Sequence, residues 1–275
     1  MAPRADNSRP RREASDMSRT MMMTGRHIYG AASIVLAVLG FATAGFATNW
    51  HPVPEGIPYR RVLAYAAAAL MLASGAGLQW RKTTRAALLL SAAVYTPFVL
   101  LWLRRVIGFP QLSGTWSGLA EQLAPVIAAL FACVRLAPTN ARWLTKADTA
   151  CRAMFGLCVV GLGLAHFFAL ALTARLVPKW IPPGQRFWAA ATGLAMVLAG
   201  VSIAVDVQSA RAAKLLTVLL ALFGVFVWAP RVFFNARQPV AWGGFAITML
   251  VCGAAWMVAD GLHRRRLAGH STVPQ

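Results

Sequence analysis

Eight apolar runs constrain this chain more than any other feature, at approximately 28–48, 62–79, 86–103, 116–134, 153–173, 187–205, 212–230 and 241–259. A helix that crosses a bilayer needs about 20 mostly apolar residues, and each run comes close to that length. Runs such as AASIVLAVLGFATAGFA (31–47) and ATGLAMVLAGVSIAV (191–205) are apolar all round, not on a single stripe. Such helices face lipid or other buried helices. The 275 residues are 58% hydrophobic and 13% charged, whereas soluble domains run near 45–50% and about 25%. The expected fold class is therefore an all-α membrane protein with eight transmembrane helices.

The formal charge of +19 would suggest nucleic-acid binding in a soluble protein. Here the basic residues cluster at the ends of the apolar runs and in the first 26 residues, where they orient a chain in a membrane. Nucleic acid is excluded on that distribution. With the amino terminus inside, eighteen Lys and Arg fall on the cytoplasmic side against nine outside. The positive-inside rule then places both termini in the cytoplasm, with a bacterial inner (plasma) membrane as the expected location and the lipid bilayer as the main partner. The segment MAPRADNSRPRREASDMSRTMMMTGR lacks the small-residue cleavage site of a signal peptide and reads as a disordered cytoplasmic tail, with Met17 and Met21 to Met23 as alternative starts.

Two outer loops interrupt the apolar runs in the same way. Val177–Trp188 reads VPKWIPPGQRFW and Val53–Leu63 reads VPEGIPYRRVL. The correspondence extends well beyond them. Arg61, Met71 and Gly75 match Arg186, Met196 and Gly200; Arg85-Ala86-Ala87 matches Arg211-Ala212-Ala213; Trp102 with Arg105-Val106 matches Trp228 with Arg231-Val232; Trp116 and Gly118 match Trp242 and Gly244. Every offset lies between 124 and 126 residues. Because the matches include Pro, Arg and Trp, low-complexity apolar sequence does not account for them. The reading is a duplication of a four-span unit, and an even number of spans relates the copies by an axis along the membrane normal. The expected layout is a tail (1–26), a first four-helix unit (27–136), a cytoplasmic linker (137–151), a second unit (152–262) and a tail (263–275).

The stretch HFFALALTARLVPKWIPPGQRFWAAATGLAMVLAG, His166 to Gly200, resembles the DoxX-like family of small membrane proteins. The resemblance rests on His166-Phe167, Val177 to Pro182, Trp188, Thr192-Gly193 and Gly200, and covers mainly spans 5 and 6. It implies a four-span unit, so this chain resembles two such units fused. The first copy departs from the pattern, with Gly40 near the position of His166 and Gly56 in place of Trp180. Family members include a membrane subunit of a thiosulfate:quinone oxidoreductase, proteins associated with thiol and oxidative-stress systems, and distant cargo receptors. The resemblance therefore implies a membrane setting and no single reaction.

Candidate chemistry is sparse. Cys133, Cys151, Cys158 and Cys252 form no CxxC and have no His at metal-ligand spacing, so no metal site is expected. No Walker loop, HExxH or GxSxG is present. His27, His51, His263 and His270 fall at or outside span ends, which leaves no pair of axial ligands for haem. His166 is the one histidine well inside a run, and an ionisable group at that depth is a functional candidate, here as a donor to a quinone carbonyl. The plainer reading has its ring bonding a neighbouring carbonyl or hydroxyl. Glu121 is the one carboxylate clearly within a run, as a proton acceptor or a partner for Arg186 or Arg61; the plainer reading is a hydrated group near a helix start. Asp206 and Asp260 read as interfacial ion-pair partners, and the two WxxRV segments as anchors.

Two functions follow as expectations. In the first, the chain is the membrane component of a redox system, with His166, Glu121, Trp180 and Arg186 framing a quinone or small-thiol pocket and a peripheral protein supplying electrons. A quinone is then its cofactor, since no motif binds any other. In the second, the chain is a non-catalytic carrier or scaffold for a lipophilic molecule or a partner protein.

Overall fold

The computed structural model describes residues 23–47, 49–137 and 141–270; the tail read over residues 1–26 lies outside it up to residue 22. The described residues are helices joined by short connections, with no strand among them. In chain order they are α1 (Met23–Thr43), α2 (Arg60–Gly77), α3 (Thr84–Gly108), α4 (Ser113–Arg135), α5 (Arg142–Phe168), the single turn-and-a-half α6 (Leu170–Ala174), α7 (Gln185–Ala204), α8 (Ser209–Phe223), α9 (Ala229–Phe234) and α10 (Pro239–His270). A π-helical turn, Gly224–Trp228, joins α8 to α9 so that the two make one apolar rod. Among the described residues, seven helices are long and apolar enough to cross a membrane. The eighth, α2, opens on Arg60-Arg61 and is largely alanine, which keeps it below that mark.

The core sits where α4 and α10 meet. Ala124, Ala128, Ala129 and Phe131 on α4, and Ile247, Leu250, Ala254 and Val258 on α10, have no accessible surface. α1 packs on α2 and on α10, and α5 packs on α7 and on α4. α3 packs on α4, and α8 on α10. The outward faces are apolar: Leu100, Leu157, Leu198 and Leu215 are all exposed. A surface so greasy suits hydrocarbon, not water.

Small residues set the closest crossings, because without a side chain two backbones approach and gain dispersion contacts. A Cβ on Gly75 of α2 would stand 2.6 Å from the carbonyl oxygen of Gly30 on α1; one on Gly200 of α7 would stand 2.6 Å from that of Gly156 on α5. Farther along, the Gly193 carbonyl would lie 2.7 Å from a Cβ on Gly163. α2 and α7 are each reached through a residue of positive φ, Tyr59 (φ 55°) before α2 and Gly184 (φ 144°) before α7.

Charged side chains fasten the opposite end. Arg135 grips Asp148 with two hydrogen bonds, the Nη2 one at 2.8 Å, donates through Nη1 to Gly261 O at 3.0 Å and lies 4.9 Å over the Phe131 ring. Three helices, α4, α5 and α10, are tied by that one guanidinium. Arg152, buried on α5, donates to Ile203 O and to Ala204 O, the latter at 2.8 Å, and so satisfies carbonyls at the end of α7. A cation there also opposes the negative end of the helix dipole.

Three sequence expectations change. Residues 142–151, read as linker, are the first ten residues of α5, and residues 23–26, read as tail, belong to α1. Hydropathy misses these stretches because RWLTKADTAC is charged. It is helical because Leu144 packs inward, where it is buried, and Asp148 one turn on reaches Arg135. Asp206 pairs with Arg152, whose Nε is 3.8 Å away, and accepts from Ser209 Oγ at 2.7 Å. Trp102, read as an interface anchor, is buried, its indole N–H donating to Trp50 O at 2.8 Å and Arg105 lying 5.3 Å over its ring.

Candidate functional site

At the end of the bundle where the proline loops gather, the helices line a half-open cavity of about 730 Å³. Ligand pockets commonly measure about 300–1,000 Å³ and are apolar with a few polar groups, and this one fits that description. Helical periodicity selects its wall. Ser117 and Glu121 line it from α4, Leu162, Ala165 and His166 from α5, Ala189, Thr192 and Met196 from α7, and Thr248 and Val251 from α10. These sets repeat at three or four residues, so each helix turns one face to the space.

Two departures from regular helix open it. α5 stops at Phe168, Ala169 leaves helical geometry (φ −119°, ψ 37°), and the chain resumes as α6. Across from it, the π turn carries Phe226, Val227 and Trp228 into the wall. Irregular backbone at membrane depth is tolerated where it lines a cavity, and π turns recur at functional sites. Aromatic rings add to its wall. Trp50 enters from the α1–α2 connection and meets Trp228 edge-on at 6.1 Å between centroids, while Trp180 meets Phe226 at 6.2 Å. Gly243 and Gly244 leave room for the Trp50 and Trp228 rings.

Three of the four candidate residues, His166, Glu121 and Trp180, line this one cavity; Arg186 does not. Arg186 is exposed in the first turn of α7, before Trp188, where the lining by that helix begins. His166 lies in the last turn of α5, not in mid-helix, because the helix ends at the Ala169 break. Its ring stacks on Phe223 (6.1 Å, 25°), and Nδ1 is 2.9 Å from Leu162 O. A carbonyl oxygen only accepts, so Nδ1 carries the proton. Glu121 stands eight residues from the start of α4, about 12 Å along the helix. Among the described residues it makes no hydrogen bond and no ion pair, to Arg186, Arg61 or any other group. Pro125, four residues on, lacks the N–H that would pair with the Glu121 carbonyl.

Sequence reasoning missed Trp50, Phe223, Phe226 and Trp228 as lining residues. Gly224 was the available signal, a glycine at the one irregular turn of an otherwise apolar rod. A second, smaller hollow of about 320 Å³ adjoins the first, sharing Leu176, Pro178 and Trp180 with it and carrying Arg175, Lys179 and Arg231 at its rim. Basic residues beside tryptophans are the usual furniture of a headgroup region. None of the four cysteines, all unpaired, lines either space. No three His, Cys, Asp or Glu among the described residues form a metal-binding group. Comparison with protein-family models, curated proteins and solved structures finds no match for this chain.

Proposed function

We propose that this chain is a polytopic membrane protein that binds one lipophilic molecule in the cavity beside His166 and Glu121, and that it does so as a carrier or receptor. The observation that carries this reading is the cavity itself: about 730 Å³, walled by Trp50, Trp180, Trp188, Trp228 and Phe223, with the ionisable side chains of Glu121 and His166 on one side. A space of that size is not stabilised by packing alone, since each empty lining forfeits contacts.

The DoxX-like resemblance and the duplication belong to the same proposal. Residue pairs one repeat apart do similar work, which supports it: Gly30–Gly75 and Gly156–Gly200 make matching tight crossings, and Arg26 and Arg152 are both buried. Trp116 and Trp242 each donate 2.9 Å to the carbonyl six residues back. On this reading the first unit has filled its counterpart of the cavity. Phe98 takes the place of Gly224, His51 stacks on it at 4.0 Å, and Phe46 meets its edge at 6.0 Å. The counterpart in the second unit stays open, with Trp50, Ser117 and Glu121 of the first unit at its wall.

The redox reading uses the same cavity with a quinone in it. Its shape and apolar walls suit such a ring, but a quinone carbonyl needs donors; the Nδ1–H of His166 is engaged by Leu162, which leaves the indole N–H groups of Trp50, Trp180 and Trp228 and the Thr248 hydroxyl, on other elements, for that part. No thiol reaches the cavity for a thiol-linked variant. The carrier reading is therefore the stronger one.

The test is chemical extraction of full-length protein purified in detergent, followed by mass spectrometry of whatever small molecule accompanies it. Wild type should carry a lipophilic compound near one per chain, and Ala165→Phe, which fills the space, should lose it while remaining monodisperse. Retention of the compound by the filled variant places it elsewhere and defeats the proposal.

A further inference from the structure

We infer that the occupant of the cavity presents a hydrogen-bond-donating head, an amine or a hydroxyl, to Glu121 and His166. This rests on the binding function proposed above and specifies its ligand. The donors on the polar side of the cavity are already engaged. Ser117 Oγ donates to Gly114 O at 3.1 Å, Thr173 Oγ1 to carbonyls of its own turn at 3.2 Å, and Thr192 Oγ1 to Trp188 O at 2.7 Å. The indole N–H of Trp188 donates to Pro182 O at 2.9 Å. His166 has given its Nδ1–H to Leu162 O, so the neutral ring offers the cavity a lone pair on Nε2 and no proton.

Acceptors remain. Glu121 has no partner among the described residues, its own carbonyl lacks a helical donor because of Pro125, and opposite a cationic head its carboxylate accepts only. α4 and α5 pack against each other, so Glu121 and His166 approach the space from adjoining walls. The donors left over, the N–H groups of Trp50, Trp180 and Trp228 and the Thr248 hydroxyl, stand on other elements: the loops, the π turn and α10. An acceptor without a donor in an apolar setting is costly, and a charged one more so. A ligand head bearing N–H or O–H removes that cost. A protonated amine adds its charge opposite the carboxylate and meets the faces of the surrounding rings.

Three probes with one skeleton separate these contributions: farnesylamine (cationic donor), farnesol (neutral donor) and farnesyl methyl ether (no donor). Each is titrated against full-length protein in detergent and the adduct read by native mass spectrometry. The amine, the alcohol or both should bind at about tenfold lower concentration than the ether, the scale of one or two hydrogen bonds. Glu121→Leu should abolish a preference that belongs to the amine, and His166→Phe, which keeps a ring against Phe223, one that belongs to the alcohol. In both variants the affinity for the ether should stay put, which shows the cavity intact. Equal binding of all three probes, or a donor preference that survives in both variants, overturns the inference while leaving the binding function standing. Failure of all three to bind wild type removes the binding function as well.

Discussion

His51 shows how much a single loop side chain does here. It lies in the α1–α2 connection, 3% exposed, stacked on Phe98 at 4.0 Å and 6.5 Å from the Tyr95 ring, with no partner for Nε2. Burial pushes its pKa down to about 3, so the folded chain holds it neutral. The unfolded chain takes up that proton near pH 6.5, as free histidine does. Protons therefore favour the unfolded state between about pH 6.5 and 3, and stability falls as pH drops through that window, by up to about 1.4 kcal/mol per unit for this group. Thermal midpoints in detergent should decline from pH 7 to pH 4.5 in wild type. His51→Phe, which keeps the stack and removes the titration, should decline less; parallel curves for the two proteins would show that His51 does not titrate on unfolding.

At the scale of helices, the fold depends on where glycine lets two of them touch. Gly156→Ala or Gly200→Ala puts a methyl group within 2.5–2.7 Å of backbone on the facing helix, so α5 and α7 must part. The cost should be about 1–3 kcal/mol, read as a lower detergent melting midpoint. Gly108→Ala and Gly114→Ala, with nothing within 4 Å, should change little. If Gly200→Ala melts with the wild type, the close crossing is not what holds these helices. Such crossings were legible in the sequence, since small residues at spacings of three and four on apolar runs have few other uses. The polar start of α5 was not, because a helix that outruns its apolar segment shows in hydropathy only as a charged linker. Glu121 and His166 were legible as ionisable groups in apolar runs. Their meeting with Trp50 and Trp228 depended on a helix break and a π turn, which no periodicity announces, and Arg186 was drawn in by proximity in sequence although it stands before the first residue of its helix to line the cavity.

For the whole molecule the open term is α2, on which the sidedness of everything after it depends. By apolarity alone seven helices qualify, and an odd number would put the two termini on opposite sides. Three observations favour a crossing by α2 as well. Its outward residues Val62, Leu63, Tyr65, Leu70 and Leu72 are exposed apolar side chains over residues 62–72, as a lipid-facing surface requires. It crosses α1 at Gly30–Gly75 as α7, which is among the seven, crosses α5 at Gly156–Gly200. The eighteen-to-nine distribution of basic residues also follows the positive-inside rule only if eight spans alternate. Alkaline phosphatase fusions on either side of α2 decide the matter directly. A fusion after residue 55 should be active, and one after residue 82, in the α2–α3 connection, inactive. Equal activity at the two points means that α2 lies along the membrane instead of through it. The proline loops at 53–58 and 177–182 would then face opposite compartments, and the duplication would lose its parallel geometry.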